Sequence, residues 1–267
     1  MVDERTDSYE AMADRTAVVT GAGSGIGAAV AERLAALGCQ VALVGRTRAK
    51  LEAVAERIVR AGGAAEVIDA DVSDVSALPA LVSRVRKVYG GVDTVINGAA
   101  VLRIRAFADV TLEDFDELVA INLRGPFFVT QAFLEELRRA QPAFVVNLSS
   151  VAASIPRGGS VLYGTTKAAL EYQTRCLAAE LAPDGIRVNA LAIGPVDTPI
   201  HDSWLPPDGE DREVLFTSVP LGRGGEAEEV AWWVTTLCGV QADWVTGAVI
   251  PVDGGKALGA GEPYVAK

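Results

Sequence analysis

In the run "SVLYGTTKAALEYQTRCLAAEL" a tyrosine and a lysine stand four residues apart, Tyr163 and Lys167. The segment is otherwise rich in Ala, Leu and Glu and reads as a helix, on which positions i and i+4 share a face. A phenol and an ammonium so placed reach one site together, which makes Tyr163 a candidate proton donor with its own electrostatic tuner. A second stretch with chemical content is Thr20-Gly21-Ala22-Gly23-Ser24-Gly25-Ile26-Gly27, set between the β-branched run "TAVVT" and the helical pattern "AAVAERLAALG". Glycines let the chain turn tightly and bring backbone N–H groups against a pyrophosphate, which the following helix N-terminus also attracts. The strand before and the helix after are the context this reading needs, so Gly21, Ser24, Gly25, Ile26 and Gly27 are candidate dinucleotide contacts.

About 20 residues beyond such a turn, an acid usually receives the ribose 2′-hydroxyl of NAD, whereas an arginine accommodates the 2′-phosphate of NADP. Here "ALVGRTRAK" offers no carboxylate and two guanidiniums around Gly45-Arg46-Thr47-Arg48. With no negative charge to repel the extra phosphate, NADP(H) is the preferred cofactor and NAD(H) stays possible, with Arg46 and Thr47 as contacts. Arg46 equally suits a solvated helix start, and Ser24 adds no positive charge. Further on, "DADVSD" puts Asp71 and Val72 where the chain edges an adenine; the other reading is that Asp71 or Ser73 caps the next helix.

Short β-branched runs and Ala-rich amphipathic segments alternate from Thr16 onward, through "QVALVG", "AAEVIDAD", "DTVING", "FVVNLSS", "IRVNALAIG" and "VTGAVIPVDGG". Such alternation predicts an α/β fold: a single doubly wound Rossmann-type domain with a seven-stranded parallel sheet flanked by helices. Residues 1–14 read as an N-terminal extension and 15–267 as the domain. The Pro-rich "GPVDTPIHDSWLPPDGEDREVLFTSVPLGRGG" reads as a mobile substrate flap at about 195–223. With 267 residues, 50% of them hydrophobic, the chain is long enough for one large core. A net charge of −11 argues against nucleic acid and anionic membrane as partners. Three scattered cysteines and one histidine support neither a disulfide framework nor a metal site. The acidic start and the lack of a long apolar run lead to an expectation of a soluble, cytoplasmic protein.

Taken together, these features resemble the short-chain dehydrogenase/reductase family, in its Tyr/Lys-dependent, 3-oxoacyl reductase-like branch, over nearly the whole stretch from Thr16 to Gly255. TGxxxGxG is met by Thr20, Gly21, Gly25 and Gly27, and YxxxK by Tyr163 and Lys167. The family serine, thirteen residues before the tyrosine, falls on Ser150 of "NLSS", and the family asparagine on Asn122 of "AINLRGPFF" in a long fourth helix. The resemblance implies that Tyr163 donates or accepts the proton at a carbonyl oxygen while hydride passes between nicotinamide and carbon. Lys167 is expected to lower the phenol's pKa from its ordinary value near 10 and to hold the nicotinamide ribose. Ser150 is expected to hydrogen-bond the substrate oxygen, and Asn122 to keep a water behind Lys167. Asn97, Ala99, Gly194, Val196 and Thr198 are the further cofactor contacts it implies; Asn97 also suits a tie between neighbouring strands, and Asn122 equally suits satisfying backbone groups at a helix bend.

Two departures from the family pattern stand out: "NNAG" reads Asn97-Gly98-Ala99-Ala100, and the "PG" before the flap reads Ile193-Gly194-Pro195. Substrate choice is expected from the flap and from "AAVLRIRAF", with Leu162, Trp204 and Leu205 as wall residues. Acids in the flap, Asp202, Asp208, Glu210, Asp211 and Glu213, favour a small neutral ketone or secondary alcohol, or merely solvate the loop. The alternatives are a 3-oxoacyl thioester reductase and a non-catalytic cofactor-binding regulator. The family habit further implies a homotetramer or homodimer. Trp232, Trp233 and Trp244 read as core or subunit-contact residues.

Overall fold

The computed structural model describes residues 12–203, 205 and 210–259, without the side chains of 203 and 210–212; Trp204, Pro206, Pro207, Asp208 and the extension up to residue 11 lie outside it. Seven strands form one sheet: β1 (Thr16–Thr20), β2 (Gln40–Gly45), β3 (Ala64–Asp69), β4 (Thr94–Asn97), β5 (Ala143–Ser150), β6 (Ile186–Ile193) and β7 (Val249–Val252). Their spatial order is β3-β2-β1-β4-β5-β6-β7, and every neighbouring pair is parallel. Both faces are covered, as a parallel sheet requires. Helices α1 (Gly25–Ala36), α2 (Arg48–Arg60) and α9 (Ala227–Cys238) pack one side, where Val19, Leu43 and Phe144 meet Leu34, Leu51 and Val234. On the other side α3 (Leu78–Tyr89), α5 (Gly125–Ala132) and α7 (Val161–Leu181) meet Val18, Val44 and Val145. Alternate strand residues thus face opposite layers, the two-residue period of a β-strand. Met12, 1% exposed, belongs to the first of these layers, so the packed body begins ahead of the expected boundary at residue 15.

The strand order reverses between β1 and β4, and a doubly wound sheet opens its crevice at the C-terminal ends of strands flanking that switch. Here the ends are Thr20 and Asn97. The Thr20 hydroxyl accepts from the N–H groups of Gly98 (3.0 Å) and Ala99 (3.2 Å), fastening the altered "NGAA" turn beside the glycine turn. A Cβ on Gly98 would lie 2.7 Å from the Thr20 carbonyl oxygen, so a glycine is required where the family has its second asparagine.

The expected long fourth helix is broken: α4 (Leu112–Val119) and α5 are separated by a π-helical turn, Ala120–Arg124, that contains Asn122. Such turns occur as single insertions, frequently at functional sites. The flap is also more regular than its proline content predicts. It holds a 3₁₀ segment (Pro199–Ser203) and α8 (Glu210–Thr217). A parallel bridge between Val196 and Gly225 pins its two ends together. α6 (Leu134–Arg139) completes the helices.

Candidate active site

Tyr163, Lys167 and Ser150 line one cleft of ≈ 580 Å³ with the glycine turn. β5 ends at Ser150, and α7 starts two residues before Tyr163, so strand end and helix start bring the three groups together. The two adjacent serines both border the cleft and differ in burial and in their partners. Ser149 is buried, and its hydroxyl donates to the Glu171 carboxylate (2.9 Å) on α7. Ser150 faces the cleft, its Oγ accepting from the Ala152 N–H at 3.2 Å.

Lys167 is 3% exposed, and its ammonium donates to the Leu148 carbonyl (2.8 Å) from a point 5.8 Å from the Tyr163 ring centroid. Burial pulls its pKa down to about 8, opposed by the Glu171 carboxylate one turn on. Burial pushes the Tyr163 phenol up to about 12, with the Ser150 hydroxyl pulling the other way. Burial, and not Lys167, is the largest influence on the phenol. Desolvation penalises the phenolate and the ammonium alike, and it is the largest influence on both groups.

Asn122 does not line the cleft. Its side chain, fully buried, accepts from the Val101 N–H (2.9 Å) and donates to the Val101 carbonyl (2.9 Å) and the Thr166 hydroxyl (3.3 Å). The π-helical turn aims it at the segment after β4 and at α7, so it clamps two walls of the site instead of facing the reacting atoms. Asn97 is likewise withdrawn. Its amide donates to Asn147 (2.8 Å) and Thr130 (3.1 Å), tying β4 to β5 and α5 beneath the crevice. Thr47 is the residue before α2 and does not reach the cleft, because the chain turns away after Arg46.

The remaining expected positions lie where the sequence puts them: Gly21, Ser24, Gly25, Ile26, Gly27, Arg46, Asp71, Val72, Ala99, Gly194, Val196 and Thr198 all border the cleft. These residues fit a dinucleotide. Gly21 holds φ +71°, and a Cβ on Gly27 would sit 2.3 Å from the Gly21 carbonyl oxygen, so only glycine lets α1 close onto the turn and present its free N–H groups. α1 has no acid in its first turn to compete for that end. Gly25 brings the Thr198 side chain to 3.2 Å from where its Cβ would be, and the Gly194 N–H bonds the Val252 carbonyl (3.0 Å), fixing the start of the flap despite the shifted proline.

Of the two guanidiniums after β2, Arg48 is taken up by Glu52 (2.8 Å) and Asp69 (3.1 Å). Arg46 is exposed at the cleft rim, joined there by Lys50, which sequence reasoning missed. Lys50 sits in the first turn of α2, and the close approach of Gly23, whose Cβ would lie 3.1 Å from the Lys50 Cβ, brings that turn to the glycine loop. Asp71 accepts from the N–H (2.8 Å) and hydroxyl (2.7 Å) of Ser73, so it closes a turn as well as bordering the cleft.

Beyond Tyr163 the walls are apolar: Leu102 and Ile104 after β4, Ile155 after β5, and Ile200 and Leu215 from the flap. Leu162 and Leu205 do not line the cleft, contrary to expectation; Leu205 is 5% exposed and packs into the body. Among the described residues none of the flap's acids lines it either. His201 does, with its ring edge-on to Phe216 at 6.2 Å. Trp232, Trp233 and Trp244 are 49%, 44% and 100% exposed, which removes the core reading for all three.

No helix among the described residues is long and apolar enough to cross a membrane. A family model described as "Enoyl-(Acyl carrier protein) reductase" matches residues 21–257. The chain is 38% identical to the short-chain reductase protein NovJ of Streptomyces niveus, covering 91% of this chain and 94% of that one. It is 36% identical to the 3-oxoacyl-(acyl-carrier-protein) reductase FabG of Aquifex aeolicus, covering 90% and 96%. A short-chain dehydrogenase from Burkholderia cenocepacia, crystallised in complex with NADP, superposes with a TM-score of 0.85 at 33% identity, covering 93% of this chain and 98% of that one. With its sheet order, its glycine turn and its Ser150, Tyr163 and Lys167 in one cleft, the chain belongs to the short-chain dehydrogenase/reductase family of oxidoreductases.

Proposed function

We propose that the protein is an NADP(H)-dependent ketoreductase, transferring hydride between nicotinamide and the carbonyl carbon of a ketone, or back from a secondary alcohol, of a small, mostly apolar molecule. The observation that carries the reading is the convergence of Ser150, Tyr163 and Lys167 on the same cleft as the glycine turn. The nicotinamide cofactor supplies the hydride when bound. Tyr163 supplies the proton: its high pKa keeps it a proton donor across neutral pH. Ser150, whose Oγ faces the cleft, steadies the charge growing on the substrate oxygen. Lys167, positive below about 8, is placed to hold ribose hydroxyls and to stabilise the phenolate left after proton transfer. Asn122 acts through the Val101 segment it clamps.

The preference for NADP(H) rests on Arg46 and Lys50, two cations at the rim that no carboxylate neutralises among the described residues. An NADP-bound relative is compatible with it. The cleft's apolar walls suit the carbon skeleton, and the similarity to a 3-oxoacyl-(acyl-carrier-protein) reductase keeps a 3-oxoacyl thioester as the second reading. A cofactor-binding regulator without turnover would have no use for the Ser150–Tyr163 pair. We assign the exposed apolar faces to self-association, into a homotetramer or homodimer: Phe115, Phe127 and Tyr172 on α4, α5 and α7, and Trp232 and Trp233 on α9. The test is cofactor oxidation against neutral ketones, diketones and 3-oxoacyl thioesters, with NADPH and NADH side by side. Turnover with NADPH on ketones supports the reading; faster turnover with NADH overturns the role of Arg46 and Lys50.

A further inference from the structure

The charge lining the cleft is not the charge of the molecule. The chain carries −11, yet among the described residues bordering the cleft the one carboxylate is Asp71. Asp71 follows β3, at one edge of the sheet. Lys256 follows β7, at the other. Six strand spacings of about 4.8 Å put nearly 30 Å between those edges, so Asp71 cannot neutralise Lys256.

Lys256 borders the cleft from the short 3₁₀ turn Lys256–Leu258, and its ammonium has two neutral partners, the Ser218 hydroxyl (2.6 Å) and the Ser218 carbonyl (3.3 Å). An ammonium has three N–H donors, so one is left over. The nearest acid in sequence, Asp253, spends its two oxygens on the backbone N–H groups of Gly255 (2.9 Å) and Ala257 (2.7 Å). Among the described residues no carboxylate pairs with Lys256. The position is held firmly: a Cβ on Gly254 would meet Val219 at 2.5 Å, and the Leu221 N–H bonds the Gly254 carbonyl at 3.2 Å.

We infer that Lys256 receives an anionic oxygen of the substrate, so the molecule reduced or oxidised carries a carboxylate or a phenolate as well as its reacting carbonyl. This rests on the proposed hydride-transfer function and narrows its substrate class. Ser150 ends β5 and Lys256 follows β7, two strands away, so strand spacing alone separates their backbones by about 10 Å, and the cleft they share also has apolar walls. The expectation of a neutral substrate came from flap acids, and those described do not line the cleft.

The test uses matched pairs: oxo acids with their methyl esters, and hydroxyaryl ketones with their methyl ethers. Each is assayed with the wild type, Lys256→Met and Ser218→Ala. Quenching of bound NADPH fluorescence gives a Kd for each compound whether or not it turns over. A charge-assisted contact of about 1.5–3 kcal/mol predicts roughly 10- to 100-fold tighter binding of the anionic member of one pair type, and which type shows it identifies the anion. Lys256→Met should erase that margin by weakening the anion alone. Ser218→Ala should keep it. Equal Kd for both members of both pairs in the wild type overturns the inference. So does an equal loss for anionic and neutral members in both variants, which would make Lys256 only a tie to the flap. Absence of turnover with every compound, whatever the Kd values, counts instead against the hydride-transfer reading.

Discussion

Replacing Lys167 with methionine should change stability in a way that depends on pH. The ammonium is buried, and its pKa falls from 10.5 to about 8 on folding. Between those values the unfolded chain holds a proton that the folded chain has given up. The contribution of Lys167 to wild-type stability therefore rises with pH across this window, because at this site the unfolded state binds more protons. At about 1.4 kcal/mol per pH unit, the whole interval is worth roughly 3 kcal/mol. Lys167→Met lacks this contribution at every pH. It also leaves the Leu148 carbonyl without its 2.8 Å donor, a loss of about 1–3 kcal/mol that does not vary with pH. The constant part cancels in a comparison across pH. Tyr89, Tyr163, Cys39 and Cys238, whose pKa values burial raises to about 12, are present in both proteins, so their contributions largely cancel in the comparison. Urea unfolding of both proteins at fixed concentration, from pH 7 to 10.5, should show the variant losing about 3 kcal/mol relative to the wild type, most of it above pH 8. A stability difference that stays constant over that range would refute the claim that burial pulls the Lys167 pKa down.

Other substitutions separate residues that sit side by side. Arg46→Ala with Lys50→Ala should weaken NADPH binding by about 10- to 100-fold while leaving NADH binding nearly unchanged, as measured by fluorescence titration. Ser150→Ala should lower kcat by about 100-fold, whereas Ser149→Ala should cost about 1 kcal/mol of stability through the lost Glu171 bond and leave most of kcat in place. Steady-state kinetics and urea melts on the two serine variants check both halves of that contrast.

The sheet and the cofactor turn were legible because their signals are local. The β-branched runs matched the strands, and Gly21, Gly25 and Gly27 stand where close approach excludes any side chain. Ser150 was distinguished from Ser149 by a family spacing, and the physical difference is that the Ser149 hydroxyl is already engaged by Glu171. What sequence could not supply was the direction of side chains whose backbone it placed correctly. Asn97 and Asn122 are buried amides that bond neighbouring elements, the strand tie and the backbone contact that sequence offered as alternatives, and the packing of α5 and the π-helical turn decides for these over a place in the cleft. Arg46 and Arg48 look alike in the chain, yet Asp69 and Glu52 occupy one and not the other. Lys50 and Lys256 come to the cleft through contacts between segments distant in sequence, for which no local pattern exists. Of the flap's acids, Asp202 and Glu213 have described side chains and neither borders the cleft, whereas the apolar Ile200 and Leu215 do.

The most direct test is the rate of NADPH oxidation by the wild type and by Tyr163→Phe on the same ketone, with NADPH binding measured for both. Proton donation by Tyr163 predicts wild-type turnover, a loss of at least about 100-fold in kcat for the variant, and closely similar cofactor affinity. A Tyr163→Phe enzyme that turns over within a few-fold of wild type, while binding NADPH equally well, would contradict the assignment of this cleft as a tyrosine-dependent hydride-transfer site.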